Sequence, residues 1–298
     1  MKFSEDAEVS VSVTKSDGVR VVTICSLRHS DVWKLTSELL PQFISADKFV
    51  VYVPANEIEE FRAITDSRIE IMSQDTLGQE YFTKLMQAVS IAGNQPRFGW
   101  YLQQFYKIEA LLKSEEKHVV IWDADCVPVK PIPLFTDKNS PIYMRAANEI
   151  NGPYFETIER LLGLSRIQDF SFVIPGFPIL KPWVIEMIDY LEETNPGLKW
   201  FDAIIKHSAL ALPSGFSETE TLGTWVANIH PNEWSTIPGA WERHGQRRFG
   251  YARDLNTTRL IQIGIKKNLD IISFENWDLR GFRLLQRRIK KYLKVFGG

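Results

Sequence analysis

The run His118-Val119-Val120-Ile121-Trp122-Asp123-Ala124-Asp125-Cys126-Val127-Pro128 constrains this chain more than any other stretch, because an apolar segment ends abruptly in two carboxylates one residue apart. Consecutive apolar residues rich in β-branched Val and Ile predict a short strand buried on both faces. Pro128 and Pro131 forbid a helical continuation, so the chain must turn there. Open α/β sheets place ligands at the carboxyl ends of their strands, and Asp-x-Asp delivered to that edge sets two hard oxygen donors side by side. They repel unless something cationic sits between them, and Mg2+ or Mn2+ carrying a nucleotide phosphate suits that role. The plainer alternative is that one Asp caps a turn and the other is solvated.

The residues before this run alternate between strand and helix patterns. Residues 19–26 (VRVVTICS), 48–54 (KFVVYVP) and 68–72 read as strands, with helices predicted over 31–43 and 56–64 between them. Such alternation predicts βαβ units and a mostly parallel sheet. Residues 81–91 read as helix or loop, and 98–112 (FGWYLQQFYKIEALL) as a strong helix immediately before the Asp-Ala-Asp strand. Gln103 and Lys107 lie four apart on one face of that helix. Lys107 is a candidate partner for phosphate or carboxylate, its alternative being a solvated lysine. No GxGxxG or GxxxxGK follows the first strand, which excludes the Rossmann dinucleotide and P-loop readings.

Beyond Asp125 the alternation loosens. Residues 141–145 predict a strand, 154–162 a helix, 170–180 an extended pair around Pro175-Gly176, and 183–193 and 201–212 two further helices. No Gly-, Ser- or charge-rich linker interrupts the chain, so its 298 residues are expected to form one domain of two halves, 17–130 and 131–278, followed by a basic segment over 279–298. Ser217 and Glu220 have capping-box spacing ahead of an apolar helix. Glu220 therefore has a structural duty available, whereas Glu218 is free to point a carboxylate outward beside Phe216 and Trp225 as a general base. His230 ends this helix, either as a cation on its dipole or as a metal ligand.

Composition narrows the function classes. A net charge of −2 argues against a dedicated nucleic-acid binder. Two cysteines cannot build a disulfide framework and point to a reducing compartment. The polar, acidic start over 1–16 is no signal peptide, and no apolar run approaches the roughly 20 residues of a membrane span, so a cytoplasmic location is expected. From Arg243 the balance turns basic. Residues 279–298 carry Arg280, Arg283, Arg287, Arg288, Lys290, Lys291 and Lys294 among apolar positions. A helix of that kind either lies on an anionic membrane surface, each base contributing about 1 kcal/mol, or packs on the body with a solvated basic face.

The βαβ first half, the Trp100-x-x-Gln103-Gln104-x-x-Lys107 helix and the strand ending in Asp123-Ala124-Asp125 together resemble GT-A-type glycosyltransferases. With Ser217-Glu218-Thr219-Glu220 and His230-Pro231, the likeness is greatest to a poorly characterised bacterial GT-A-like family linked to surface-polysaccharide genes. It covers roughly residues 19–235. The resemblance implies an α/β GT-A-like domain, a nucleotide-sugar donor at the carboxyl edge of the sheet, and Mn2+ or Mg2+ bridging Asp125 to the diphosphate. Asp123 would reach the ribose or the metal through water, and Lys107, Gln103, Cys25 and Ser26 would complete the donor site. A C-terminal histidine ligand would fall on His230, with His244 as competitor, and Glu218 or Glu220 would deprotonate a glycan or lipid-linked acceptor if the enzyme inverts.

Other readings remain open at this point. A haloacid-dehalogenase-type phosphatase also uses Asp-x-Asp at a strand end, but its later paired acids are missing here. A nucleotidyltransferase would want a Gly-rich phosphate loop. A non-catalytic sugar or nucleotide binder on the same fold is the rival from outside enzymology.

Overall fold

The computed structural model describes residues 18–146 and 149–275. The basic segment expected to form a helix over 279–298 lies outside them. Along the first half run β1 (Val19–Ile24), α1 (Ser30–Phe43), β2 (Lys48–Val53), α2 (Ile58–Ile64), β3 (Ile69–Ser73), α3 (Phe82–Ile91), α4 (Phe98–Lys113) and β4 (His118–Ile121). The second half supplies β5 (Cys126–Pro128), β6 (Ile142–Arg145), α5 (Gly152–Leu162), β7 (Phe177–Leu180), α6 (Lys181–Thr194), α7 (Trp200–His207) and α8 (Glu218–Ile229). After these come β8 (Ser235–Pro238), β9 (Trp241–Glu242), α9 (Gly245–Phe249), α10 (Thr257–Lys267) and β10 (Ile271–Ser273). Among the described residues no helix is long and apolar enough to cross a membrane.

The central sheet has the order β3-β2-β1-β4-β7. Its first four strands are parallel, as the alternating pattern predicts, and β7 is antiparallel to β4. Every residue of β1 and β4 is buried, which is why both read as unbroken apolar runs rather than alternating ones. The chain steps outward from β1 to β2 and β3, then returns to the other flank of β1 to lay down β4. That reversal leaves a crevice between the carboxyl ends of β1 and β4, where open sheets of this kind receive ligands.

Two expectations fail in the second half. Residues 170–180 contain one strand, β7 over the last four of them, and not an extended pair, because the Phe172 amide is given to the Glu220 carboxylate instead of a neighbouring strand. The helix expected over 201–212 ends at His207. Beyond it the Leu210 and Leu212 carbonyls accept from Asn94, and Tyr101 Oη donates to Leu212 O at 2.6 Å. The Tyr101 hydroxyl also accepts the Gly215 amide at 2.9 Å. These bonds hold the loop that starts α8 against α4.

A smaller sheet, β5-β10-β9, closes over the site edge. β10 runs antiparallel to β5, and the Phe274 amide donates to the Asp125 carbonyl at 2.9 Å. Val127, Val129, Ile272 and Phe274 pack there against Val32, Leu35 and Leu39 of α1 in a second apolar core. The C-terminal described residues are thereby carried to the end of β4.

Candidate functional site

The turn after β4 is built to present two carboxylates. The Trp122 amide continues the ladder to Val22 O at 2.9 Å, and its buried indole donates to Cys126 O at 2.8 Å. Gly176, at φ +73°, lies beneath that indole; a Cβ there would meet the ring at 2.5 Å, so only glycine lets the loop approach so closely. The Cys126 amide returns to Asp123 O at 3.1 Å, and Thr36 of α1 donates to Ala124 O at 3.0 Å. Trp122, Ala124 and Cys126 are consequently buried, while the intervening Asp123 and Asp125 side chains keep 35% and 23% of their surface. The turn closed by the Cys126 amide, rather than strand alternation, leaves the two acids partly exposed at the crevice while the residues around them are buried.

Lys107 comes up from α4 and binds two acids at once: Asp123 Oδ1 at 2.7 Å and Glu218 Oε1 at 2.7 Å. Its side chain is 7% exposed and that of Glu218 is 2% exposed. Burial acts to discharge the ammonium, but the two carboxylates overcome it and hold Lys107 charged, well above the usual lysine range. Burial pushes the Glu218 carboxyl up, and Lys107, shared with Asp123, offsets only part of that. One turn earlier, Gln103 donates to Ile24 O at 3.3 Å and ties α4 to the end of β1.

Around Asp125 the charges are less evenly matched. Burial raises its carboxyl, the His29 imidazole pulls it back down, and the Asp123 charge adds to the rise. His29 Nδ1 stands 4.0 Å from Asp125 Oδ2, beyond hydrogen-bond reach. Glu275, following β10, is pushed up to about 7 by burial; Arg243 draws it down, while Asp125 and Asp123 add to the rise. Arg243 in turn donates to Glu149 at 2.9 Å and to Glu275 at 3.3 Å while lying over the Trp241 ring. It is thus an ordered, ion-paired residue, not part of the unopposed basic stretch that the sequence suggests.

The fold therefore brings Asp123, Asp125, Lys107, Gln103 and Glu218 to one place, but not all in the roles expected. Glu218 does not point outward; it is enclosed on Lys107. Glu220 is fully buried away from the crevice: its amide donates to Ser217 Oγ at 3.3 Å as the capping box predicts, while its carboxylate accepts from Ser171 Oγ at 2.8 Å and Phe172 N at 2.9 Å. Neither glutamate is open to an acceptor. Cys25 is buried with its amide and carbonyl bonded to Tyr52 and Gln74, so its thiol, raised by burial, offers no group to a ligand. Ser26 opens the turn between β1 and α1, and its carbonyl accepts the His29 amide at 2.9 Å.

His230 is not brought to the aspartates. It ends α8 at the opposite pole from Glu218, about 18 Å away along a 12-residue helix. There its ring sits between Glu186 Oε2 (2.6 Å) and Glu233 Oε1 (3.0 Å) and stacks on Trp183. His244 is nearer, paired across the ladder with Phe274. His29 and Glu275 escaped the sequence reading, and Arg243 entered it only as the start of a basic stretch. His29 could have been sought as the only titratable imidazole just past the first strand, whereas Glu275 has no local signal, because long-range pairing with β5 places it.

Among the described residues no three His, Cys, Asp or Glu side chains already stand together as a metal cage. The donor chemistry nonetheless suits a hard divalent cation. Asp123 and Asp125 are oxygen donors, the Asp125 carboxyl is raised by burial with the Asp123 charge adding to the rise, and such ions take one or two carboxylates and complete their shell with phosphate and water. Comparison with protein families finds a match to a family of unknown function, DUF6492, over residues 34–229, a span that holds Lys107, Asp123, Asp125 and Glu218. No curated protein matches the chain.

Proposed function

The chain belongs to the DUF6492 family, and on that premise we propose that it is a metal-dependent glycosyltransferase of GT-A type. It moves a sugar from a nucleotide-sugar donor to a glycan acceptor, lipid-linked, in bacterial surface-polysaccharide synthesis, and works at the cytoplasmic face of the membrane. The observation that carries this reading is the Asp123-Ala124-Asp125 turn at the reversal point of the sheet, where two carboxylates stay partly exposed while the residues between and beside them are buried. Mn2+ or Mg2+ held by Asp125 and Asp123 would supply a Lewis acid for the leaving diphosphate. Lys107 fixes the orientation of Asp123, and the loop following β1 borders the nucleotide side of the crevice. Deprotonation of the acceptor is not assigned to Glu218 or Glu220, since both are enclosed.

The test is the thermal stability of the whole protein against a panel of nucleotide sugars, each with and without Mn2+. One nucleotide class should stabilise it only with metal, by about 2.7 kcal/mol at a concentration of 100 Kd. Asp125→Asn should abolish that shift. A shift indifferent to metal or retained in Asp125→Asn, or no shift with any donor, refutes the reading. Slow donor hydrolysis lost in Asp125→Asn distinguishes an enzyme from a binding protein on the same fold.

A further inference from the structure

Three carboxylates line the crevice, and two of them have a cation at contact distance: Asp123 has Lys107 at 2.7 Å and Glu275 has Arg243 at 3.3 Å. Asp125 differs. Among the described residues its nearest cation-capable nitrogen is His29 Nδ1 at 4.0 Å, and its other oxygen meets only the Cys126 thiol at 3.5 Å. The His29 imidazole in turn makes no hydrogen bond among the described residues, although its backbone is firmly set. Its amide is bonded to Ser26 O, the Leu27 amide to Glu57 Oε2 at 2.7 Å, and α1 begins at the next residue. Two unused donor atoms thus lie close together on side chains 27% and 23% exposed, one following the end of β1 and one following the end of β4.

Their separation has a chemical meaning. It is too long for a hydrogen bond. Two donors each about 2.1 Å from one ion lie at most about 4.2 Å apart, so a single cation can touch both. We propose that His29 is the imidazole ligand of the divalent cation carried at Asp125 and Asp123, so that residues from both sides of the sheet's reversal point would hold the ion together with diphosphate and water. This rests on the transferase reading, which puts the cation at Asp125, and it moves the histidine role from His230 to a residue ahead of α1. An imidazole ligand also favours Mn2+ or Co2+ over Mg2+, so His29 sets the metal preference.

The experiment uses the full chain with Mn2+ alone and pulsed electron paramagnetic resonance of the bound ion. The wild-type spectrum should show modulation from a coordinated imidazole nitrogen. His29→Ala should lose it and bind Mn2+ at least about tenfold more weakly, with a smaller change for Mg2+, while His230→Ala keeps both nitrogen modulation and affinity. Mn2+ bound in an Asp125-dependent way without nitrogen modulation, or with modulation that survives in His29→Ala, overturns the assignment and leaves the transferase reading standing. Mn2+ that fails to bind, or binds equally well to Asp125→Asn, overturns both. Because the first readout is taken on the wild-type protein, it does not depend on the variant folding.

Discussion

Replacing Lys107 by methionine, which is similar in length and carries no charge, would leave Glu218 without a cation in a place where only 2% of its side chain meets solvent. Asp123, 35% exposed, can turn to water, so the cost falls on Glu218. A carboxylate so enclosed takes up a proton sooner than stay charged and unpaired. At pH 7 that protonation costs about 3.7 kcal/mol, being about 1.36 kcal/mol for each unit above the ordinary glutamate pKa of about 4.3. The figure is an upper value, since burial of the lysine charge is relieved at the same time, and it falls in the range of about 3–5 kcal/mol for broken buried pairs. The sign of the pH dependence follows. The folded variant holds one proton that the unfolded chain releases, so its stability falls by about 1.4 kcal/mol per unit as pH rises above about 4.3. At pH 5 the same substitution should cost only about 1 kcal/mol. Urea midpoints at pH 5 and pH 7, with the slope of the transition unchanged, measure both values. Lys107→Met combined with Glu218→Leu should recover most of the loss, because no buried acid is left unpaired. A loss that is the same at both pH values, one below about 1 kcal/mol at pH 7, or a double variant no better than the single one would refute the reasoning.

Two further outcomes follow from the same geometry. Glu275 has a folded pKa of about 7 against an ordinary value of 4.5, so the stability it lends is complete below pH 4.5 and lost as pH rises through 7. Glu275→Gln should remove that loss, about 3 kcal/mol at most, from urea midpoints taken between pH 4 and 8, and an unchanged slope would contradict it. Gly223 of α8 has no room for a side chain, since a Cβ would meet the Phe172 ring at 2.1 Å. Gly223→Ala gains about 1 kcal/mol in helix propensity but overpacks a core at a cost of about 1–3 kcal/mol, so the thermal midpoint should drop; a rise would show that the Phe172 loop yields freely.

Much of the first half was legible in the sequence because each signal there is local. Apolar runs of four to six residues, punctuated by Gly18, Pro54 and the two prolines after Asp125, determine strands whose two faces are both buried. The spacing of Gln103 and Lys107 determines that both look the same way, and the structure finds them both at the ends of β1 and β4. Where a residue's role depends on a distant partner, local pattern misled. Glu218 looked free because nothing near it in sequence carries a positive charge, yet Lys107, 111 residues earlier, encloses it. Glu220 kept the capping amide bond expected of it, but its carboxylate was claimed by a loop some 50 residues away. His230 has the right residue type at the wrong end of a helix.

The sequence by itself determined the parallel order of alternating strands and helices and the pair of acids ending β4, since both are written in hydrophobic period and in residues that break it. Only the tertiary structure decided which groups meet those acids. His29 arrives because β1 and β4 are neighbours, Glu275 because β10 pairs with β5, and Lys107 because α4 packs on β1. Electrostatic partnership is a matter of distance and burial in space, and neither is encoded in separation along the chain.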